Sequence, residues 1–264
     1  MSVGQILDTS LKIFTRHWWT FIRIVLYIVA PLELVNALIA ASAFDIDEGA
    51  TGEGDLAIVI GAIVVVLVIA IAEYVISSGA TFRAVSEAYL GRIPEWSSST
   101  RYALRRMLPI LWVTVLTGLA TLLGLIALII GAVFLYVALS VAVPVLVGED
   151  VRGVAALKRS YHLVKGRWWP TFGLLLLATL LVGIIGAVAG GILFVLLDAG
   201  IDTTSFGGGL FVDAIVNIVI GVITTPFLSA VTVVLYYDLR VRKEGLDIEL
   251  LAAQLDDEPG PTGA

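Results

Sequence analysis

No cysteine occurs in the 264 residues. Disulfides, thiolate metal sites and thiol nucleophiles are therefore excluded. Histidine is nearly absent, with His17 and His162 alone, and neither has a second histidine or a carboxylate at ligand spacing. That leaves no metal-binding pattern. Charged residues make up only 14% of the chain, too few to coat a water-soluble globule of this size. No serine sits in a nucleophile motif, and no glycine-rich loop joins a strand to a helix, since Gly207, Gly208 and Gly209 fall between apolar runs. The residues thus point to no catalytic site, no metal, no cofactor and no nucleic-acid partner.

What the chain has in abundance is apolar surface: 59% hydrophobic residues and a mean hydropathy of +1.02. The apolar residues fall in runs at roughly 20–43, 56–78, 108–130, 131–148, 170–197 and 210–237. A span needs about 20 residues at 1.5 Å rise, so six transmembrane helices are expected. The stretch from Leu108 to Gly148 carries no charge and would make about 60 Å of helix, so it must fold back once. Gly131 is the expected turn. Lipid admits only helices or closed barrels, and these runs are too long and too uniform for barrel strands. The fold class is all-α.

All 16 lysines and arginines fall on one side of that pattern, while the connections 44–55 and 198–209 hold only acidic charges. The positive-inside rule then places both termini in the cytoplasm and the protein in a bacterial inner membrane. Ala41-Ser42-Ala43 resembles a leader-peptide cleavage site. The preceding basic region is too long for one, and Pro31 and Glu33 interrupt the apolar run, so the first span is expected to be retained.

An internal repeat divides the chain. Val3, Ile6, Leu7, Leu11, Phe14 and Trp18 recur at three- and four-residue spacing and lead into Trp18-Trp19-Thr20-Phe21. Val151, Val154, Leu157, Tyr161, Val164 and Trp168 do the same and lead into Trp168-Trp169-Pro170-Thr171-Phe172. Ser97 to Met107 is a shorter version. Each is an amphipathic elbow helix preceding a helical hairpin, giving three units at about 1–79, 80–150 and 151–245. Trp18, Trp19, Trp168 and Trp169 suit the headgroup level, apolar on the ring and hydrogen-bonding at the edge. Basic elbows attract anionic lipid headgroups. Residues 246–264 read as a short amphipathic helix and a disordered acidic tail.

The elbow Ile6-Leu7-Asp8-Thr9-Ser10-Leu11, the stretch Leu139-Ser140-Val141-Ala142-Val143-Pro144 leading to Glu149, and Thr224-Thr225-Pro226-Phe227 followed by Tyr236-Tyr237-Asp238-Leu239-Arg240-Val241-Arg242 occur in order along nearly the whole chain. In this the chain resembles the glycerophosphoryl diester phosphodiesterase membrane domain family, most of all its stand-alone actinobacterial-type members. The resemblance implies a membrane fold and a location. The family's catalytic barrel, with its acidic metal ligands, has no counterpart here, so no phosphodiesterase activity is implied.

Ionisable residues inside spans are costly and mark candidate sites. Arg23 and Glu73 lie at matching depths in an antiparallel hairpin and are expected to pair. Glu33 lies near mid-span with Asn36 three residues on and no lysine or arginine at its depth. Thr224 and Thr225, beside Pro226 in the sixth run, reach the same depth, and a polar pocket of Glu33, Asn36, Thr224 and Thr225 is expected. Gly186 and Gly190 form a small-residue face for close helix packing. The expected function, ahead of one alternative, is a non-enzymatic module organising lipids or membrane and cytoplasmic protein partners at the cytoplasmic face. The alternative is a carrier or channel for a small solute, ion or lipid with Glu33 in its path. An intramembrane enzyme ranks third, for want of a nucleophile with a base. Whether Glu33 meets packed side chains or a polar cavity discriminates the first two.

Overall fold

The computed structural model describes residues 1–47, 53–198 and 206–245, all helices and short connections. The region of the expected C-terminal helix and tail, 246–264, lies outside the described residues. The helices are α1 (Val3–Arg16), α2 (Trp18–Asp47), α3 (Glu53–Tyr89), α4 (Trp96–Arg105), α5 (Met107–Gly124), α6 (Leu128–Ala138), α7 (Ala142–Glu149), α8 (Val154–Val164), α9 (Trp168–Asp198) and α10 (Phe206–Glu244). Six stretches are long and apolar enough to cross a bilayer: Trp18–Ile39, Ile60–Tyr89, Met107–Gly124, Leu128–Glu149, Trp168–Val195 and Ala214–Glu244. Each expected hairpin is present, with α1, α4 and α8 as the elbows.

Local chemistry sets the elbow ends. Ser2 and Gln5 close a reciprocal capping box at the start of α1, and His17 breaks the helix before α2. Asp150 ends α7 in the left-handed region, φ 55°, and Gly166 ends α8 at φ 87°, where a side chain would be strained. α1 packs on α10 and α9, α4 on α3 and α2, and α8 on α7, α5 and α10. The elbows therefore lie against the ends of the spans that they introduce or neighbour.

The turn between the third and fourth spans is not at Gly131. It occupies 125–128, a single 3-10 turn followed by Leu128 at φ 64°. Gly131 instead sits inside α6, where its carbonyl faces Gly124: a Cβ on Gly124 would come within 2.7 Å of that oxygen. Here glycine permits close approach of two helices rather than reversing the chain. Gly190 behaves the same way toward Ile220, at 3.0 Å for an added Cβ, and Gly186 at 3.6 Å, so this small-residue face packs α9 on α10.

The fourth span is also discontinuous. α6 stops at Ala138 and α7 starts at Ala142, so neither half, about 16 Å and 12 Å long, crosses a bilayer alone. The Ser160 hydroxyl of elbow α8 donates to the Ala138 carbonyl at 3.0 Å, serving an acceptor at the break. The fourth and sixth spans are the most enclosed, each 39% buried against 17–22% for the others, and so form the centre of the bundle.

Candidate intramembrane cavity

Four helices carry polar residues at three- and four-residue spacing, and the fold turns these stripes toward one another. On α2 the stripe is Val29, Glu33, Asn36; on α3 it is Ala70, Glu73, Ser77; on α5 it is Thr114, Thr117, Thr121; on α10 it is Asn217, Gly221, Thr225, Ser229, Thr232. Such spacing puts residues on one helix face. Between the stripes lies a cavity of about 760 Å³, completed by Tyr136 of α6, Ser140 at the break in the fourth span, and Thr179 of α9. Among the described residues no lysine or arginine lines it.

Of the expected pocket, Glu33, Asn36 and Thr225 line this cavity and Thr224 does not. Adjacent helix positions are about 100° apart, and of these two threonines only Thr225 falls on the cavity side. Expectation and structure differ over Arg23 and Glu73. Among the described residues no ion pair joins them. Arg23 is exposed, on the same outward face as Leu26 and Tyr27, whereas Ile24, Val25 and Ile28 point into the bundle. Depth matched; the helical phase did not. Glu73 lies instead within electrostatic reach of Glu33, so two acids face the same space.

The hydroxyls are oriented by their own helices. Ser77 donates to the Glu73 carbonyl at 2.7 Å, Ser78 to Val75 at 3.2 Å, Thr121 to Thr117 at 2.8 Å and Ser140 to Val137 at 2.9 Å. A hydroxyl that has given its proton to the preceding turn has only lone pairs left to offer. Thr81 and Ser229 share a bond of 2.8 Å that ties α3 to α10 beside the cavity. Asn36 Oδ1, Thr114 Oγ1 and Thr117 Oγ1 are fully buried without a hydrogen-bond partner.

A second cluster, which sequence reasoning missed, closes the elbow end. The Arg159 guanidinium donates to both Glu149 oxygens, at 2.9 and 3.1 Å, and to both Glu244 oxygens, one of them at 2.7 Å. Hydrogen bonds from Arg159 to Glu244 first, and to Glu149 next, outweigh desolvation and hold the guanidinium even more firmly protonated than usual. Buried Tyr236 donates to Glu149 at 2.9 Å, and Arg240 reaches Glu244 at 3.2 Å. Two arginines and two glutamates thus join α7, α8 and α10. Only the i,i+4 spacing of Tyr236, Arg240 and Glu244 hinted at part of this in the sequence.

The tryptophans split. Trp18, Trp19 and Trp169 are exposed at 45%, 59% and 74%. Trp168 turns inward, stacking on Phe134 and Phe172 and donating to the Phe134 carbonyl at 3.2 Å. Three are exposed and one is a packing residue.

Neither a curated protein nor a solved structure matches this chain. One family model does, across residues 100–258, which is more than half of the chain and takes in α5 through α10. The chain belongs to that family, described as Domain of unknown function (DUF8558).

Proposed function

We propose that this chain is a membrane carrier, admitting a small solute to a binding cavity inside its helix bundle. One observation carries the reading: Glu33 faces a cavity of about 760 Å³ with polar side chains from four helices in its wall, and not packed side chains. Cavities of about 300–1,000 Å³ are the usual size for binding small molecules. Uncompensated acids and unpartnered hydroxyls are expensive in a bilayer and are characteristically kept for a solute path. The broken fourth span supports the same reading, because non-helical backbone at membrane depth is tolerated where it lines a cavity. The elbows act as feet on an anionic inner-membrane surface, with both termini on the cytoplasmic side, and the fold is of the glycerophosphoryl diester phosphodiesterase membrane domain type without its enzyme. The module that only organises lipids or partner proteins is the weaker reading, since it gives the cavity no task.

Solvent access to the cavity tests this. The native chain has no cysteine, so Thr225→Cys and Thr179→Cys each introduce a single thiol on the lining. In proteoliposomes both should react with a small water-soluble methanethiosulfonate, whereas Ile129→Cys, on an exposed apolar face, should not. Inert thiols at both lining positions would leave the cavity sealed and defeat the carrier reading.

A further inference from the structure

The lining specifies what kind of solute fits. We propose that the cavity takes a small organic cation, an amine on an apolar body, and takes it up in exchange for a proton held by Glu33 or Glu73. This rests on the carrier reading and narrows it.

Charge comes first. The titratable groups facing the space are Glu33 from α2, Glu73 and Tyr74 from α3, and Tyr136 from α6; α5, α9 and α10 contribute threonines, Ser229 and Asn217 but no charge. Two carboxyls in a poorly hydrated space with no basic side chain require protons or a cation as their counter-charge. An anion would oppose ionisation of either acid, and a neutral solute would leave the acids as they are.

Hydrogen-bond polarity points the same way. Ser77, Ser78, Thr121 and Ser140 spend their protons on carbonyls of their own helices. Asn36 Oδ1 is a buried acceptor with no donor. The Thr114 and Thr117 hydroxyls, also without partners, can donate or accept; the four committed hydroxyls and Asn36 Oδ1 present lone pairs, whose complement is a ligand rich in N–H groups, which an ammonium supplies without any acceptor of its own. The walls are otherwise apolar, with Phe82, Leu139, Val143 and Leu175 among the lining residues, so a hydrocarbon or aromatic body can fill the remaining volume.

The exchange balances. With both carboxyls protonated the empty site is neutral. An entering ammonium pairs with one carboxylate as that group's O–H bond breaks and its proton passes to water. The other carboxyl keeps its proton and can donate to an acceptor such as Asn36 Oδ1. One positive charge enters and one leaves, so the occupied site stays neutral.

Three probes of one shape separate the alternatives: benzylammonium, benzyl alcohol and benzoate, titrated calorimetrically against the full chain in mild detergent at neutral pH. Benzylammonium should bind at least about tenfold more tightly than the alcohol, and benzoate more weakly than either. In weakly buffered solution a pH indicator should report about one proton released per amine bound. The Glu33→Gln, Glu73→Gln double variant should bring the amine-to-alcohol ratio to about one and abolish proton release, while its retained alcohol binding reports an intact cavity. Equal or tighter binding of the alcohol or benzoate by the unaltered chain overturns the cation assignment and leaves the carrier reading standing. Amine binding without proton release overturns the exchange. Failure of all three probes to bind overturns both inferences, and this panel needs no variant to fold.

Discussion

Two pairs of glutamates sit in this bundle under opposite conditions. At the elbow end Glu149 and Glu244 share Arg159 and Arg240, with every oxygen engaged across α7, α8 and α10. Deeper in, Glu33 and Glu73 face a cavity that no lysine or arginine lines. The same side chain is a rivet where the chain supplies its counter-charge, and an open valence where it does not.

That contrast breaks most severely at Arg159. Its side chain and those of Glu149 and Glu244 are only 16–25% exposed, so Arg159→Ala sets two carboxylates against each other with one arginine left. A loss of about 3 kcal/mol is expected, read as a lower melting temperature in detergent. Arg159→Met combined with Glu149→Gln and Glu244→Gln should recover much of it. A single variant that melts with the unaltered chain would mean that the cluster is no rivet.

Next is the hairpin of the third and fourth spans. Gly124→Ala drives a methyl into the Gly131 carbonyl and backbone at 2.7–2.9 Å, where no flexible side chain can yield. The expected cost is about 2 kcal/mol, with the α5–α6 hairpin forced apart. Gly118→Ala, which meets nothing within 4 Å on the same helix, should be neutral in the same thermal melt. Thr81→Val, which leaves Ser229 without its partner across α3 and α10, should cost about 1 kcal/mol.

The cavity acids should respond least. Glu33→Gln preserves shape and removes no ion pair, so stability should move by less than about 0.5 kcal/mol while amine binding weakens. A large destabilisation would make Glu33 a structural residue and erase the contrast. Asp150 offers a surface reference. The Arg106 hydrogen bond first, and Arg152 next, lower its pKa below the ordinary 3.8. A carboxylate with a depressed folded value stabilises the fold at neutral pH and loses that contribution as pH falls through the folded value. Asp150→Asn should therefore change melting slightly at pH 7 and not at all at pH 2.

Hydropathy and charge placement carried the architecture, because lipid penalises every misplaced polar group and so writes span ends plainly into the chain. The elbow periodicity and the repeated Trp-Trp steps likewise read directly as amphipathic helices. Depth was legible; azimuth was not. Arg23 and Glu73 share a depth but not a face, and in a helix apolar all round nothing in the flanking residues reveals which way each points. Glycine was ambiguous between turn and close approach, which displaced the second hairpin's turn from Gly131 to 125–128. The break at Leu139–Val141 had no proline or glycine within it to betray it. The threonine stripe Thr114, Thr117, Thr121 and the α10 stripe from Asn217 to Thr232 were in plain view as three- and four-residue periods. Read as stripes, they would have located the cavity beyond Glu33, Asn36 and Thr225.

The hydrogen bond from Ser160 to the Ala138 carbonyl has a mechanical meaning. Ser160 belongs to elbow α8, outside the apolar spans, and Ala138 is two residues from Ser140 in the cavity wall. A contact of 3.0 Å has only a few tenths of an ångström of play before it ceases to be a hydrogen bond. Any larger displacement of α8, whether from lipid packing or from a protein leaning on it, must either snap that tether or drag the wall along. The elbow is in that sense a handle, and the broken span is the joint on which it pulls.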